Sequence, residues 1–157
     1  MMNKIQYTST DGRIVLPLTQ KMEDGNRIVS NTYKDGIGII TFKAEVKTIP
    51  QGLFRGSLTL ESISIPSSVA AIDDSAFEKC RHLKKVKLQD GLLSIGKRAF
   101  LGTGLEGVII PSSVFVVSSL AFSHCESLTT VKFNKPNSAI VIGTNCFLDS
   151  PSEIAII

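Results

Sequence analysis

Residues Gly91 to Arg98 read GLLSIGKR, one position away from the phosphate-binding pattern G-x-x-x-x-G-K-[ST]. That pattern ends on a hydroxyl because Mg²⁺ needs an oxygen ligand there, and a helix must open directly behind it. Arg98 stands in the hydroxyl's place, so a bound nucleotide would lack its metal ligand. Cys80, Cys125 and Cys146 raise the question of a disulfide or a zinc site, but no C-x-x-C and no His/Cys cluster accompanies them. Asp73 and Asp74 look like paired carboxylates for acid/base work. Adjacent side chains diverge, however, and this pair precedes Ser75-Ala76-Phe77, where a side-chain oxygen would cap a turn. His82 and His124 lack the carboxylate and nucleophile at matching offsets that a triad requires. No catalytic, cofactor-binding or metal-ligating residue is nominated, no cofactor is expected, and the chain reads as a non-enzyme.

A longer pattern accounts for these residues. Phe54, Phe77, Phe100, Phe122 and Phe147 recur at intervals of 23, 23, 22 and 25 residues. A fixed period in that range marks a stacked repeat protein. Val46, Val69, Leu92 and Val114 share one slot, and Ile49, Ile72, Ile95, Val117 and Ile142 share the next. Gly91 aligns with Ser68 and Ser113, and Gly96 with Asp73, Ser118 and Gly143, so the phosphate-loop look-alike is a coincidence of register. Cys80 and Cys125 occupy one slot two coils apart, with Thr103 between them. At the usual strand spacing that separation is about 10 Å, beyond the ~7 Å limit for bridging. Cys146 takes the small slot that Ala76, Ala99 and Ala121 fill elsewhere, so all three cysteines read as small buried apolar residues. The histidines sit at different offsets, five and two residues from their phenylalanines, and read as solvent-facing turn residues. Asp74 aligns with Lys97 one coil on, which predicts a surface ion pair.

The elements follow from the slots. Leu60-Ile63-Ile65, Leu83-Val86-Leu88, Leu105-Val108-Ile110 and Leu128-Val131-Phe133 each spell a short strand, with the last two apolar positions on one face. The return stretches, such as VAAIDDSAFEKC, predict extended chain with one helical or 3₁₀ turn around Ala-Phe. Coils therefore run over 43–65, 66–88, 89–110, 111–133 and 134–157, the third one residue short because LGTGL replaces EKCRHL. The fold class is a mostly β solenoid of about five coils over 43–157, in which stacking supplies each coil's buried partner. Residues 1–42 lack the full repeat and predict a β-hairpin-rich cap. Asp-Gly in STDG and KDG separates alternating apolar runs in the manner of hairpin turns. Ile40 and Phe42 lie 23 residues before Ile63 and Ile65, which predicts that this segment supplies the first ladder strand.

The runs LESISIPSSVAAIDDSAFEKCRHLKKVKLQDGLLSIGKRAF and LEGVIIPSSVFVVSSLAFSHCESLTTVKF resemble the BspA-like branch of the leucine-rich-repeat family. The resemblance covers about residues 43–157. It departs from the commoner leucine-rich repeat, which has Asn or Cys after the strand where this chain has Pro66, Gln89, Pro111 and Asn134. The last coil, ending in SPSEIAII, is degraded. The resemblance implies a leucine-rich-repeat solenoid carried on a cell-surface or secreted protein that binds protein partners, adhesin-like or as a scaffold.

Composition is compatible with that. The chain of 157 residues is 43% hydrophobic and 20% charged, and its net charge of +3 implies no strong polyanionic partner. The most apolar stretch, VIIPSSVFVVSSLAF, is interrupted well short of the roughly 18 residues a membrane span needs, so no membrane insertion is expected. The opening MMNKIQYTSTDGR lacks the apolar core of a secretory signal, which leaves a cytoplasmic protein or one with a leader or longer parent outside this sequence.

What remains is a face. Ser62, Ser64, Lys85, Lys87, Gly107, Ile109, Thr130 and Lys132 alternate outward from the core, and with Ile39 and Thr41 upstream predict a five-rung strip. Solenoids use such surfaces for protein recognition. The lysines also keep an open sheet soluble, and without interleaved aromatic residues they do not predict a nucleic-acid partner. The alternative function is structural: the apolar EIAII ending would join a second copy or a larger surface or virus-like structure through an uncapped edge, giving a homo-oligomer.

Overall fold

The computed structural model describes residues 3–135, 139–151 and the backbone of 155–156. The strands in chain order are β1 (Lys4–Ser9), β2 (Ile28–Lys34), β3 (Ile37–Phe42), β4 (Thr48–Ile49), β5 (Leu60–Ser64), β6 (Ala71–Ile72), β7 (Lys85–Lys87), β8 (Ser94–Ile95), β9 (Gly107–Ile110), β10 (Val116–Val117), β11 (Thr130–Phe133), β12 (Val141–Ile142) and β13 (Ala155–Ile156). From β4 onward they alternate between two walls of a solenoid. The return wall is a continuous parallel sheet in the order β12-β10-β8-β6-β4. The strand wall holds β5 and β7 in one sheet and β9, β11 and β13 in another.

Between the walls lies one core. Phe54, Phe77, Phe100 and Phe122 are each no more than 1% exposed. Their rings, with the part-buried Phe147, form a single stack with centroids 5.4, 5.1, 5.2 and 5.9 Å apart and planes within 12° of parallel. Such offset aromatic pairs contribute about 0.5–1.5 kcal/mol each beyond the area they bury. The apolar slots predicted from the period are filled by buried side chains along Val46-Val69-Leu92-Val114 and Ile49-Ile72-Ile95-Val117, whereas Ile142 at the last described coil is 38% exposed.

Among the described residues the returns contain no helical turn of the kind expected around Ala-Phe. They are successive tight turns, closed by bonds such as Ala76 N–H to Asp73 O (3.3 Å) and Glu78 N–H to Ser75 O (3.1 Å). The intervening amides go to the next coil: Ser75 to Lys97 O, Phe77 to Ala99 O and Lys79 to Leu101 O. A helix would keep all of those donors within one coil, so stacking and helix formation compete for the same amides, and stacking prevails. The turns hold Ser75, Arg98, Leu120 and Asn145 at one slot, and Lys79, His124 and Asp149 at another, in the left-handed region with φ between 54° and 62°.

The cap corrects two expectations. The KDG hairpin forms: β2 pairs with β3 across Asp35-Gly36, whose φ values of 51° and 82° are those of a primed turn. The STDG turn closes no hairpin. Both edges of β1 are already taken, by β3 and by β5, and Pro17 could not donate to a ladder. The first ladder strand is therefore β1, not β3. Because β1 is antiparallel to both neighbours, β3 runs in the same direction as β5 but one strand further out, which is why 23-residue arithmetic placed it in the repeat. Ile39 and Thr41 face Gln6 and Lys4, and the rung beside Ser62 and Ser64 is formed by Thr8 and Gln6.

Candidate interaction surface

The outer side of the strand wall gathers the predicted residues in register. Ser62 lies opposite Lys85 and Ser64 opposite Lys87. Gly107 lies opposite Thr130 and Ile109 opposite Lys132. Parallel pairing puts residues of one slot side by side, so the alternation within each strand becomes continuous rows across the sheet. The Ser62 hydroxyl is within 2.8 Å of the Thr8 hydroxyl, tying the cap strand to the first rung. Lys85, Lys87 and Lys132 are exposed, and Ile109, an isoleucine on an outward slot, is 53% exposed.

The strip is not continuous. Among the described residues β7 pairs only with β5, and β9 only with β11 and not with β7. A bond from Glu106 N–H to Lys84 O (3.2 Å) closes this junction at its base, and no ladder pair follows it. The inward residues show the consequence. Ile63, Val108 and Val131 are no more than 4% exposed, whereas Val86 and Leu88 are only part-buried. The opening is a cleft of about 710 Å³. Val86, Leu88, Val108 and Ile109 give it an apolar lining, and Gly107 contributes no side chain to fill it. Lys84, Lys85, Lys87 and Lys132 stand around it, with Glu106 at the closed end.

The sequence signal for this break is the missing residue of the third coil. Cys80-Arg81-His82-Leu83 becomes Thr103-Gly104-Leu105, so the shortening falls in the turn just before β9. Gly104 lies so close to the preceding coil that a Cβ there would sit 2.3 Å from the Arg81 carbonyl oxygen, and only glycine fits. The sequence reading registered the deletion but did not connect it with an open ladder.

The other chemistry-bearing residues fall into structural places. Cys80, Cys125 and Cys146 are free and buried. The first two act as donors, a role the apolar reading missed. The Cys80 thiol donates to Phe54 O at 2.9 Å and Cys125 to Phe100 O at 3.1 Å, and the Ser150 hydroxyl does the same to Phe122 O at 2.8 Å. Burial pushes the Cys80 thiol up to about 12 and Cys146 up to about 11, and raises Cys125, so none is a ready thiolate. Asp74 does not pair with the Lys97 ammonium; its Oδ1 accepts the Lys97 backbone N–H at 2.7 Å. That contact serves the stacking, because the amide would otherwise face solvent alone. His82 is exposed and its Nδ1 donates to Leu58 O at 2.6 Å, while exposed His124 lies 3.6 Å from Asp149. A hollow of about 570 Å³ beside Glu23, Asp24, Asp73 and Asp74 is acidic, and burial, then the charges of Asp74 and Glu23, raise the Asp73 pKa. Among the described residues no group of three or more His, Cys, Asp or Glu is placed to hold a metal ion, and no helix is long and apolar enough to cross a membrane.

A family model described as BspA type leucine-rich repeat region matches residues 30–156 in six copies. The chain belongs to the BspA-type leucine-rich-repeat family. The matched region begins within β2, in the residues the sequence reading gave to the cap, where the repeat-like β3 has been drawn into the antiparallel sheet. No curated protein matches the chain. Among solved structures, the chain is similar to the pneumococcal vaccine antigen PcpA, at 19% identity over 82% of this chain and 38% of that one, with a TM-score of 0.57. It is also similar to a leucine-rich cell surface protein from Faecalibacterium prausnitzii, at 35% identity over 50% of this chain and 21% of that one, with a TM-score of 0.49. A leucine-rich repeat protein from Bacteroides ovatus matches at 25% identity over 74% of this chain and 40% of that one, with a TM-score of 0.38. The BspA-type chain thus spans between about a fifth and two fifths of the length of these structures.

Proposed function

We propose that this BspA-type solenoid is a non-enzymatic protein-recognition module, adhesin-like or scaffolding, that binds its partner through the outer side of the strand wall. The observation that carries the reading is the row composition: small polar Ser62 and Ser64, basic Lys85 and Lys87, and the uncovered Ile109 beside Thr130 and Lys132, all held on paired strands. A surface kept only for solubility would have no use for an outward isoleucine, while recognition surfaces mix apolar anchors with polar rims. Rigid strands also lower the ordering cost of binding. The family and the cell-surface description of the Faecalibacterium protein support display on a cell surface. Replacing both Lys85 and Lys87 with Glu should abolish partner capture from an extracellular protein pool while leaving the circular dichroism and the melting temperature unchanged. Undiminished capture by the folded double variant would remove the strand wall from the proposal.

A second reading, assembly through the far end of the solenoid, has its own observation. Among the described residues strand β12 is the edge of the return wall, and Val141 (67%), Ile142 (38%) and Leu148 (44%) are exposed there. Concentration-dependent light scattering that disappears in Val141→Lys would favour it, and a monomer at every concentration would exclude self-association.

A further inference from the structure

We propose that the fork between β7 and β9 is the specificity pocket of the strand wall, and that it takes an extended acidic peptide segment anchored by a bulky apolar side chain. This rests on the strand-wall reading above and narrows it to one site and one partner chemistry. The cleft of about 710 Å³ is the size of pockets that bury a substantial ligand. Its lining is apolar where neighbouring junctions of the same sheets are closed: Val86 and Leu88 are part-buried, although the side chains in their slots on the other coils are covered. An apolar side chain inserted there would complete the packing that the missing ladder leaves open.

The charge around the opening selects the rest of the partner. Four lysines, Lys84, Lys85, Lys87 and Lys132, face one glutamate, Glu106. Glu106 sits at the closed end, beside the bond that joins Glu106 to Lys84, so the open end is basic on both banks, with Lys87 on β7 and Lys132 on β11. An acidic chain is attracted to such an opening, and rim charges of this kind act chiefly on approach and discrimination. An extended backbone suits the site because the facing edges of β7 and β9 are not paired with each other, and strand edges recognise peptides through main-chain bonds with side chains entering alternate pockets. Single-stranded nucleic acid fits less well: the lining has no aromatic residue on which a base could stack.

The test uses the full chain and a fluorescein-labelled peptide that alternates glutamate with phenylalanine, read by fluorescence anisotropy. We expect saturable binding that weakens about tenfold or more in Ile109→Ser, which removes an exposed apolar anchor without touching the core. Gly107→Tyr should have a similar effect by filling the cleft; a Cβ at Gly107 meets nothing nearer than Thr130 O at 3.5 Å. Lys97→Ala, exposed in the turn behind β8 and outside the cleft lining, should leave binding unchanged. An all-glutamate peptide and a single-stranded DNA of equal charge should bind far more weakly. Equal binding of either, or no binding of the alternating peptide, overturns the proposed occupant. Peptide binding lost in Lys85→Glu/Lys87→Glu but intact in Ile109→Ser overturns the pocket and leaves the strand wall standing. Binding indifferent to every one of these variants removes both.

Discussion

The return wall and the strand wall are made by the same windings, yet the first pairs without interruption from β4 to β12 while the second breaks between β7 and β9. Both cross the shortened third coil, since β8 to β10 and β7 to β9 are each spaced by 22 residues. The difference lies in how much chain follows the deletion. Strand β9 begins three residues after Gly104, with no slack to recover the register, whereas β10 begins twelve residues after it, beyond the Ser112-Ser113 turn that Val114 N–H closes on Pro111 O. A one-residue change in a solenoid is thus felt on the wall directly downstream and absorbed before the next. The return wall also has help from its turns, where amides such as Phe77, Phe100 and Phe122 donate to the following coil at 2.8–2.9 Å.

The largest effect should come from what the two walls share. Phe100 is fully buried, with rings stacked on both sides at 5.1 and 5.2 Å. Phe100→Ala should cost about 3–5 kcal/mol, read as a fall in the urea midpoint. Phe147 has one described ring neighbour, at 5.9 Å, and is only part-buried, so Phe147→Ala should cost less than half as much. Equal costs would mean that the stack is not the common support of the walls.

Repairing the deletion tests the comparison directly. Replacing Gly104 with Arg-His, the pair at the same place one coil earlier, restores the 23-residue spacing and removes the close approach to the Arg81 carbonyl. The β9 amides facing β7 should then exchange with solvent about tenfold or more slowly, as a completed ladder would protect them. Amides of β8 and β10 should hardly change. If β9 stays unprotected in a folded variant, the missing residue is not what opens the strand wall.

A smaller effect is expected within the turns. Cys80→Ser keeps a donor to Phe54 O, whereas Cys80→Ala removes it and should cost about 1 kcal/mol more, because that carbonyl retains only the Ser57 N–H. Thiol titration should find none of the three cysteines reactive until the chain is unfolded, as burial holds them far from the thiolate.

Much of this architecture was legible because stacking makes each slot repeat: the phenylalanine period located the ring stack, and the slots it aligns located both apolar ladders. Three things were not. The amides of the Asp73–Lys79 turns could satisfy themselves in a helix or on the next coil, and local sequence does not reveal the competitor. The Ile40 and Phe42 spacing matched the repeat because β3 does run alongside β5, but β1 inserts between them, and no period encodes an insertion by a distant segment. The cleft is a property of two neighbouring coils of unequal length, so residue types such as Lys85 and Ile109 pointed to the wall but not to the fork within it.

The smallest effect bears on the return wall itself. Asp73 follows β6, and its pKa is raised above the usual carboxylate value by burial, with Asp74 and Glu23 adding repulsion. A carboxyl that holds its proton more tightly when folded is a net cost once ionised: stability falls as pH rises from the unfolded value of about 4 through the folded one, and stays lower above it. Asp73→Asn should therefore raise the melting temperature at neutral pH and make no difference below about pH 3. The side chain is partly solvated, so the gain should remain within about 0.5 kcal/mol. Because Asp73 O and Asp73 N–H both serve the winding, to Ala76 N–H and Ile49 O, a gain on removing only the charge would show that the backbone, and not the carboxylate, holds the return wall together there. A loss at neutral pH would instead assign the carboxylate a stabilising partner, and the return wall would then rest on a side chain as well as on its backbone bonds.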